Sequence, residues 1–371
     1  MFNFWNNLSK PFFCLAPMAD VTDFAFREMF AKYSNPHPAF GHLLPKGEGN
    51  KKGLLGEGEM NKFVMYTEFV NVDGLLHPEG FERLKIDLKF SEIQRPIVAQ
   101  IWGRSPIKFQ EAAELIVKLG FDGIDINFGC PQDKEIGQGT CAALIREPEL
   151  ALEIIKATKK GAGDLPVSVK TRIGYSENTV GNWMRVLLGA EPAAIAIHAR
   201  TKQEKSKTPA HWEAIAEAVR VRDQMFPINP HPSASGGHLL PKGEGNKVGL
   251  RPLIIGNGDI KSRDEGLERI KQTGCDGVMV GRGAFGNPWF FRDDNHQPPI
   301  QDRLMIMLEH AELFDKEFSG MKGFQIMRKH FKAYASGFDG AHELRAKLME
   351  TKNLDETKKI VEEFLTNPFF K

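Results

Sequence analysis

Gly123-Ile124-Asp125-Ile126-Asn127-Phe128-Gly129-Cys130-Pro131 joins a short apolar run to a thiol set between a glycine and a proline. Residues 123–127 read as a buried parallel strand, because the run is bounded on both sides by turn formers. Gly129 frees the backbone, Pro131 stiffens it, and the polar stretch 132–140 predicts a surface loop. A free cysteine is most often a buried structural residue. Here the flanks predict instead a thiol exposed at a loop tip, past the carboxyl end of a strand. In an α/β barrel that is where the catalytic groups sit.

Working outward, strand-like runs alternate with helical ones. Strands are predicted over 12–16, 96–102, 123–127, 167–171, 194–198, 253–256 and 277–280, with a weaker one over 65–69. Helical spacing is predicted from a Thr22 cap to residue 32, then over 105–119, 142–160, 178–188, 212–221 and 263–273. Eight βα units imply a closed (β/α)8 TIM barrel of the α/β class rather than an open sheet. Beyond about residue 301 only helical patterning remains. The expected organisation is a barrel over 1–300 followed by a small all-helical domain over 301–371.

A net charge of +1 excludes a chain that is basic throughout but leaves room for a local basic stripe. Cys14, Cys130, Cys141 and Cys275 form no C-x-x-C pair and no zinc-ligand spacing, so reduced thiols and no metal are expected. The first ten residues lack a basic segment followed by an apolar one, and no run approaches the roughly 20 apolar residues that span a bilayer. A cytoplasmic monomer without membrane contact is the expectation.

Two segments break the rhythm. Residues 41–51 recur letter for letter as 237–247, each preceded by Asn-Pro-His-Pro. The copies follow the first and the sixth helix, not positions four units apart as a half-barrel duplication requires. Adjacent copies at a short period, the mark of a solenoid, are absent. Both read as insertions, near 35–61 and 229–250.

The other strand ends carry polar residues and glycines. Pro17, Met18 and Ala19 follow the first strand, and Gln100 lies on the third. Lys170 and Arg172 end the fifth, His198 the sixth, Asn257, Gly258 and Asp259 the seventh, and Gly281 with Arg282 the eighth. Glycines after the last two strands suit a phosphate, whose oxygens take bare backbone N–H groups, with Arg282 adding a charge-assisted bond. A lysine and a glutamine deeper in the mouth suit the polar edge of a flavin.

The stretches Leu15-Ala16-Pro17-Met18-Ala19-Asp20-Val21-Thr22-Asp23, Asn127 to Pro131, Lys170-Thr171-Arg172, Ile197-His198-Ala199-Arg200-Thr201, Gly256-Asn257-Gly258-Asp259-Ile260 and Asp276 to Gly283 resemble the tRNA-dihydrouridine synthases. The resemblance covers about residues 12–290, and the helical tail is similar to the family's RNA-binding domain. It implies a flavin enzyme that reduces uridines of tRNA, with FMN as cofactor and NADPH (or NADH) as reductant. Hydride passes to uracil C6 and Cys130, similar to the family's general acid, protonates C5. An ordinary thiol, with a pKa of about 8.5, is protonated at neutral pH and needs no tuning for that task. Asn127 and Arg172 are the expected holders of the uracil. Pro17, Met18, Ala19, Gln100, Lys170, His198, Asn257, Gly258, Asp259, Gly281 and Arg282 are the expected flavin contacts.

The tail segment Arg328-Lys329-His330-Phe331-Lys332-Ala333-Tyr334 interleaves basic and aromatic side chains, a composition that contacts phosphates and stacks on bases. Arg328, Lys329 and Lys332 are the expected tRNA contacts, against the rival reading of a solvated helix face with Phe331 packed inward. Residues 301–371 carry as many acidic as basic side chains, so any RNA surface there is a patch. Two other functions fit less well. A small-molecule flavin reductase of the dihydroorotate dehydrogenase type has no use for such a tail, and a non-catalytic tRNA-binding protein has no use for Cys130.

Both insertions precede a strand, hence lie at the end of the barrel opposite the expected site. Long surface loops add only about 0.6 kcal/mol of closure entropy per doubling of length. Replacing residues 36–60 and 230–249 by short Gly/Ser connections is therefore expected to leave flavin content and tRNA reduction within a few-fold of the parent. A large loss of tRNA affinity in the double deletion, with flavin still bound, would show that the copies serve the RNA.

Overall fold

Parallel strands buried on both faces are written as unbroken apolar runs. The structure is a computed structural model and describes residues 3–34, 63–227, 251–294 and 296–366. Its strands are β1 (Phe12–Leu15), β2 (Phe63–Tyr66), β3 (Val70–Asn71), β4 (Ile97–Trp102), β5 (Gly123–Phe128), β6 (Val167–Arg172), β7 (Ala194–His198), β8 (Leu253–Asn257) and β9 (Gly277–Val280). They follow the order β2-β1-β9-β8-β7-β6-β5-β4-β3, and a further β2–β4 pairing closes the ring. With β3 a two-residue appendage, eight strands make the expected (β/α)8 barrel. Every residue of β1, β2, β5, β8 and β9 is buried.

Three local expectations are corrected. The weak strand lies at Phe63–Tyr66 rather than 65–69, since it takes the apolar run Phe-Val-Met-Tyr and stops where Thr67 and Glu68 begin. The first helix, Phe24–Tyr33, is capped by Asp23, whose Oδ1 accepts the Phe26 N–H at 2.9 Å. Thr22 is used elsewhere: its hydroxyl accepts the Met18 N–H at 2.8 Å. The segment expected as one helix over 142–160 is a 3-10 turn, Cys141–Arg146, followed by the helix Pro148–Ala162. The repeated segments lie outside the described residues.

The chain divides into two compact units, one comprising Met1–Asn7, Trp102–Gly258 and Arg269–Val278, the other Leu8–Ile101, Asp259–Glu268 and Met279–Lys371. In the first unit, register sets Asn127 beside Lys170, Arg172 beside His198, and His198 beside Asn257. In the second, the helices Ile300–Phe318, Met327–Tyr334, Ala341–Leu348 and Leu354–Thr366 share one core with Phe24 and Met29 of the first helix. Among the described residues the apolar faces of the tail's helices close on the first barrel helix. Among the described residues no helix is long and apolar enough to cross a membrane.

That core decides the reading of the tail's aromatics. Phe331 is 0% and Tyr334 1% exposed, so neither can stack on a base. Met327, Phe331 and Tyr334 recur at helical spacing and form the buried face of their helix. Phe331→Ala is expected to cost about 3–5 kcal/mol of stability in urea unfolding. An unchanged unfolding midpoint, with RNA binding reduced, would return Phe331 to the RNA surface.

Candidate active site

The loop after β5 owes its shape to Asn127. Its Oδ1 accepts the N–H groups of both Gly129 and Cys130, each at 2.9 Å, and turns the chain directly after the strand. At Gly129 a Cβ would lie 3.4 Å from the Lys170 carbonyl oxygen, so the loop runs close against β6. Behind the loop lies Arg172, 4% exposed. Its Nε donates to the Gly129 carbonyl at 2.7 Å, and its Nη1 to those of Thr201 and Lys205 at 3.0 Å each. Through Nε and Nη1 the guanidinium engages three carbonyls of the protein and braces the loop. The carbonyl oxygen of Asn127 is likewise committed to the turn.

Cys130 is half-buried. A hydrogen bond from the Cys141 thiol draws its pKa down to about 7; burial opposes this, while the Gln132 N–H and the Arg172 charge support it. The Cys141 thiol is pushed up by the same bond and by burial. Cys141 is fully buried and adopts φ of 54°, a conformation that L residues rarely take. Its neighbour Ala142 donates N–H to the Cys130 carbonyl at 3.4 Å, and Arg104 ties the Gly139 carbonyl (2.7 Å) to Glu147 (2.6 Å). The contacts of Cys141 and Gln132 thus favour the thiolate form of Cys130.

On the adjoining strands of the same unit, the Lys170 ammonium lies 3.3 Å from Asn257 Oδ1. Some of Lys170 remains solvent-accessible, yet protein surrounds its head, and burial first, then the Arg172 charge, pulls its pKa down to about 8. It remains charged at neutral pH. His198 Nε2 is 3.1 Å from Arg200 Nη1, a permanent donor, so this nitrogen accepts. Gly258 has φ of +135°, and a Cβ there would meet the Ala210 Cβ at 2.9 Å. Only glycine fits.

The second unit holds the remaining expected residues. Pro17 is buried, Met18 half-buried and Ala19 exposed. A turn closes on Met18, whose carbonyl accepts the N–H groups of Val21 (3.1 Å) and Thr22 (3.0 Å). A Cβ on Gly281 would meet the Met18 sulfur at 3.3 Å and the Ala16 Cβ at 3.6 Å, so the bare backbone gives that sulfur its room. Arg282 is largely exposed and pairs with Asp259 at 3.2 Å. Gln100 is fully buried, with its N–H on the Thr67 hydroxyl at 3.1 Å.

Of the expected RNA contacts, only Lys332 is exposed. Arg328 donates to the Thr351 carbonyl at 3.1 Å, and Lys329 to the carbonyl of Asp20. Three residues of consequence escaped the sequence reading. Cys141 carries no spacing signal. Glu68, 5% exposed and raised to about 7 by burial against the pull of Lys322, looked like part of a strand. Lys322, bonded to Glu68 at 2.9 Å and to Asp87 at 2.7 Å, lies 254 positions from Glu68.

The Cys130 thiolate forms as pH rises through about 7. Iodoacetamide labelling of Cys130, followed by peptide mass spectrometry, is expected to titrate there. Cys141→Ala removes a donor that favours the thiolate and is expected to move the midpoint up by about one unit or more. A midpoint near 8.5 in the parent, or no movement in the variant, would contradict the thiol pairing.

A family model described as Dihydrouridine synthase (Dus) matches residues 14–227 and 249–369. The interval it skips overlaps the second copy of the repeat. A probable tRNA-dihydrouridine synthase of Staphylococcus aureus (strain MRSA252) is 37% identical over 364 residues, which are 98% of this chain and 95% of that protein. Probable tRNA-dihydrouridine synthase 2 of Bacillus subtilis (strain 168) is 36% identical over 365 residues, 98% and 96% of the two chains. With the match spanning the barrel, the Cys130 loop and the tail, the chain belongs to the dihydrouridine synthase family.

Proposed function

We propose that this protein reduces uridines of tRNA to 5,6-dihydrouridine, with FMN as bound cofactor and NADPH (or NADH) as reductant, in the cytoplasm. The observation that carries the proposal is the placement of the Cys130 thiol at the carboxyl end of β5, on a loop held by Asn127 and Arg172, where the Cys141 thiol favours its ionised form. A general acid works best with a pKa near the working pH.

The residues present fit a flavin mononucleotide. The Lys170 ammonium, weakened by its surroundings, suits a partner that becomes anionic on reduction, such as the N1 and O2 edge of the ring. Gly281 leaves bare backbone beside Met18, and Arg282 follows it with a largely exposed guanidinium, a combination suited to a phosphate. Gln100, His198, Asn257, Gly258, Asp259, Pro17 and Ala19 complete the assigned set. When bound, the flavin supplies a hydride taken from the nicotinamide and delivers it to uracil C6.

Cys130 does the rest. Its S–H gives a proton to C5 as the C5=C6 double bond is saturated, leaving a thiolate. The Cys141 S–H and the Arg172 charge stabilise that thiolate until water reprotonates it. Since the donor is the protonated form, proton transfer is available below about pH 7 and declines as pH rises through it. A uridine within folded tRNA reaches such a site only by being swung out of its stack, which costs a few kcal/mol. Lys332 is assigned to a tRNA phosphate, and Arg328 to the surface beside it.

Cys130→Ala is expected to keep the yellow colour and its bleaching by NADPH while lowering dihydrouridine formation by about 10²–10⁴-fold. The readout is dihydrouridine in nuclease-digested tRNA. Near-parental turnover would remove the thiol from the mechanism, and a colourless protein would remove the flavin.

A further inference from the structure

Asp20 ends the loop that carries Pro17, Met18 and Ala19, and its φ is 55°. Aspartate enters this left-handed region more readily than most residues, and here contacts from elsewhere in the chain hold it there. Both of its backbone polar groups are held by distant side chains. Its N–H donates to Oε1 of Glu68, and its carbonyl accepts from the Lys329 ammonium. The other oxygen of Glu68 accepts from Lys322 at 2.9 Å, and Lys322 is itself fixed by Asp87 at 2.7 Å. Thr22 completes the grip from within the loop, its hydroxyl accepting the Met18 N–H at 2.8 Å. The gripped turn is the one whose methionine sulfur overlies Gly281.

We propose that Lys329 and the Glu68–Lys322 pair are positioning residues for the cofactor: they lock the Asp20 turn and, through it, Met18 and Ala19. The proposal rests on the assignment of that loop to the flavin. It changes the role of Lys329 from RNA contact to loop brace, since an ammonium engaged by a backbone carbonyl of its own chain is a poor free charge for a phosphate. It also makes the helical tail part of the cofactor site, because Lys322 and Lys329 belong to the tail and Asp20 to the first barrel loop.

The test compares the full-length parent, Lys329→Ala and Lys329→Arg in three measurements: FMN dissociation constant by flavin fluorescence, tRNA dissociation constant against salt, and melting temperature. Removing a hydrogen bond from a charged donor is expected to weaken FMN about tenfold or more in Lys329→Ala. Arginine, which can reach the same carbonyl, is expected to restore affinity. The salt slope of tRNA binding should not change, since no phosphate contact is lost. An unchanged FMN constant in Lys329→Ala overturns the proposal. So does a loss of tRNA affinity with a shallower salt slope and FMN retained, which returns Lys329 to the RNA surface. Equal loss of FMN affinity in both variants, tracking a fall in melting temperature, overturns it in favour of a general structural role. A parent that does not bind FMN defeats the flavin assignment itself and is recognised by that control.

Discussion

Two hydrogen bonds from backbone N–H groups to one asparagine oxygen set the chemistry of this protein. Asn127 Oδ1 takes the amides of Gly129 and Cys130 and so decides where the thiol emerges from β5. Neither bond is strong alone, about 0.5–1.5 kcal/mol net. Their value lies in fixing a loop that the barrel strand only begins. Arg172 supplies the backing: a buried guanidinium stays charged, though burial lowers its pKa to about 10, and it spends that charge on three carbonyls. An arginine so engaged is costly to remove, since two buried acceptors and one part-buried one would lose their donor.

The same economy of distant side chains governs the second unit. There the tail shares its core with the first barrel helix, its Lys329 reaches Asp20 in the loop after β1, and its Lys322 reaches Glu68 just past β2. Under the proposed function, a tail that meets RNA and a loop that holds the cofactor share one core and do not behave as independent modules. Changes made in the tail to study RNA binding are expected to be read in flavin affinity as well.

What was legible in the chain, and what was not, follows from sequence distance. The strands were legible because parallel strands buried on both faces must be apolar throughout, as Gly123–Phe128 is. Cys130 and Asn127 were legible because three positions separate them and the turn between them has its own chemistry. Arg172 was visible as a strand-end charge, but its partners Thr201 and Lys205 come from another loop, so its bracing of the Cys130 loop was not. The tail's aromatics misled by composition. Phe331 and Tyr334 stand beside arginine and lysine in the chain, while helical geometry turns them inward to the core. Cys141, Glu68 and Lys322 act through contacts that no local pattern encodes.

The central claim is that the Cys130 thiol, drawn down to about 7, is the proton donor. It is tested most directly by reducing the enzyme, mixing it with unmodified tRNA, and following flavin reoxidation in a single turnover across pH. The account predicts a rate that falls on the alkaline side, approaching about tenfold per unit above an apparent pKa near 7. A rate that stays level to pH 9, or rises with pH, would contradict it.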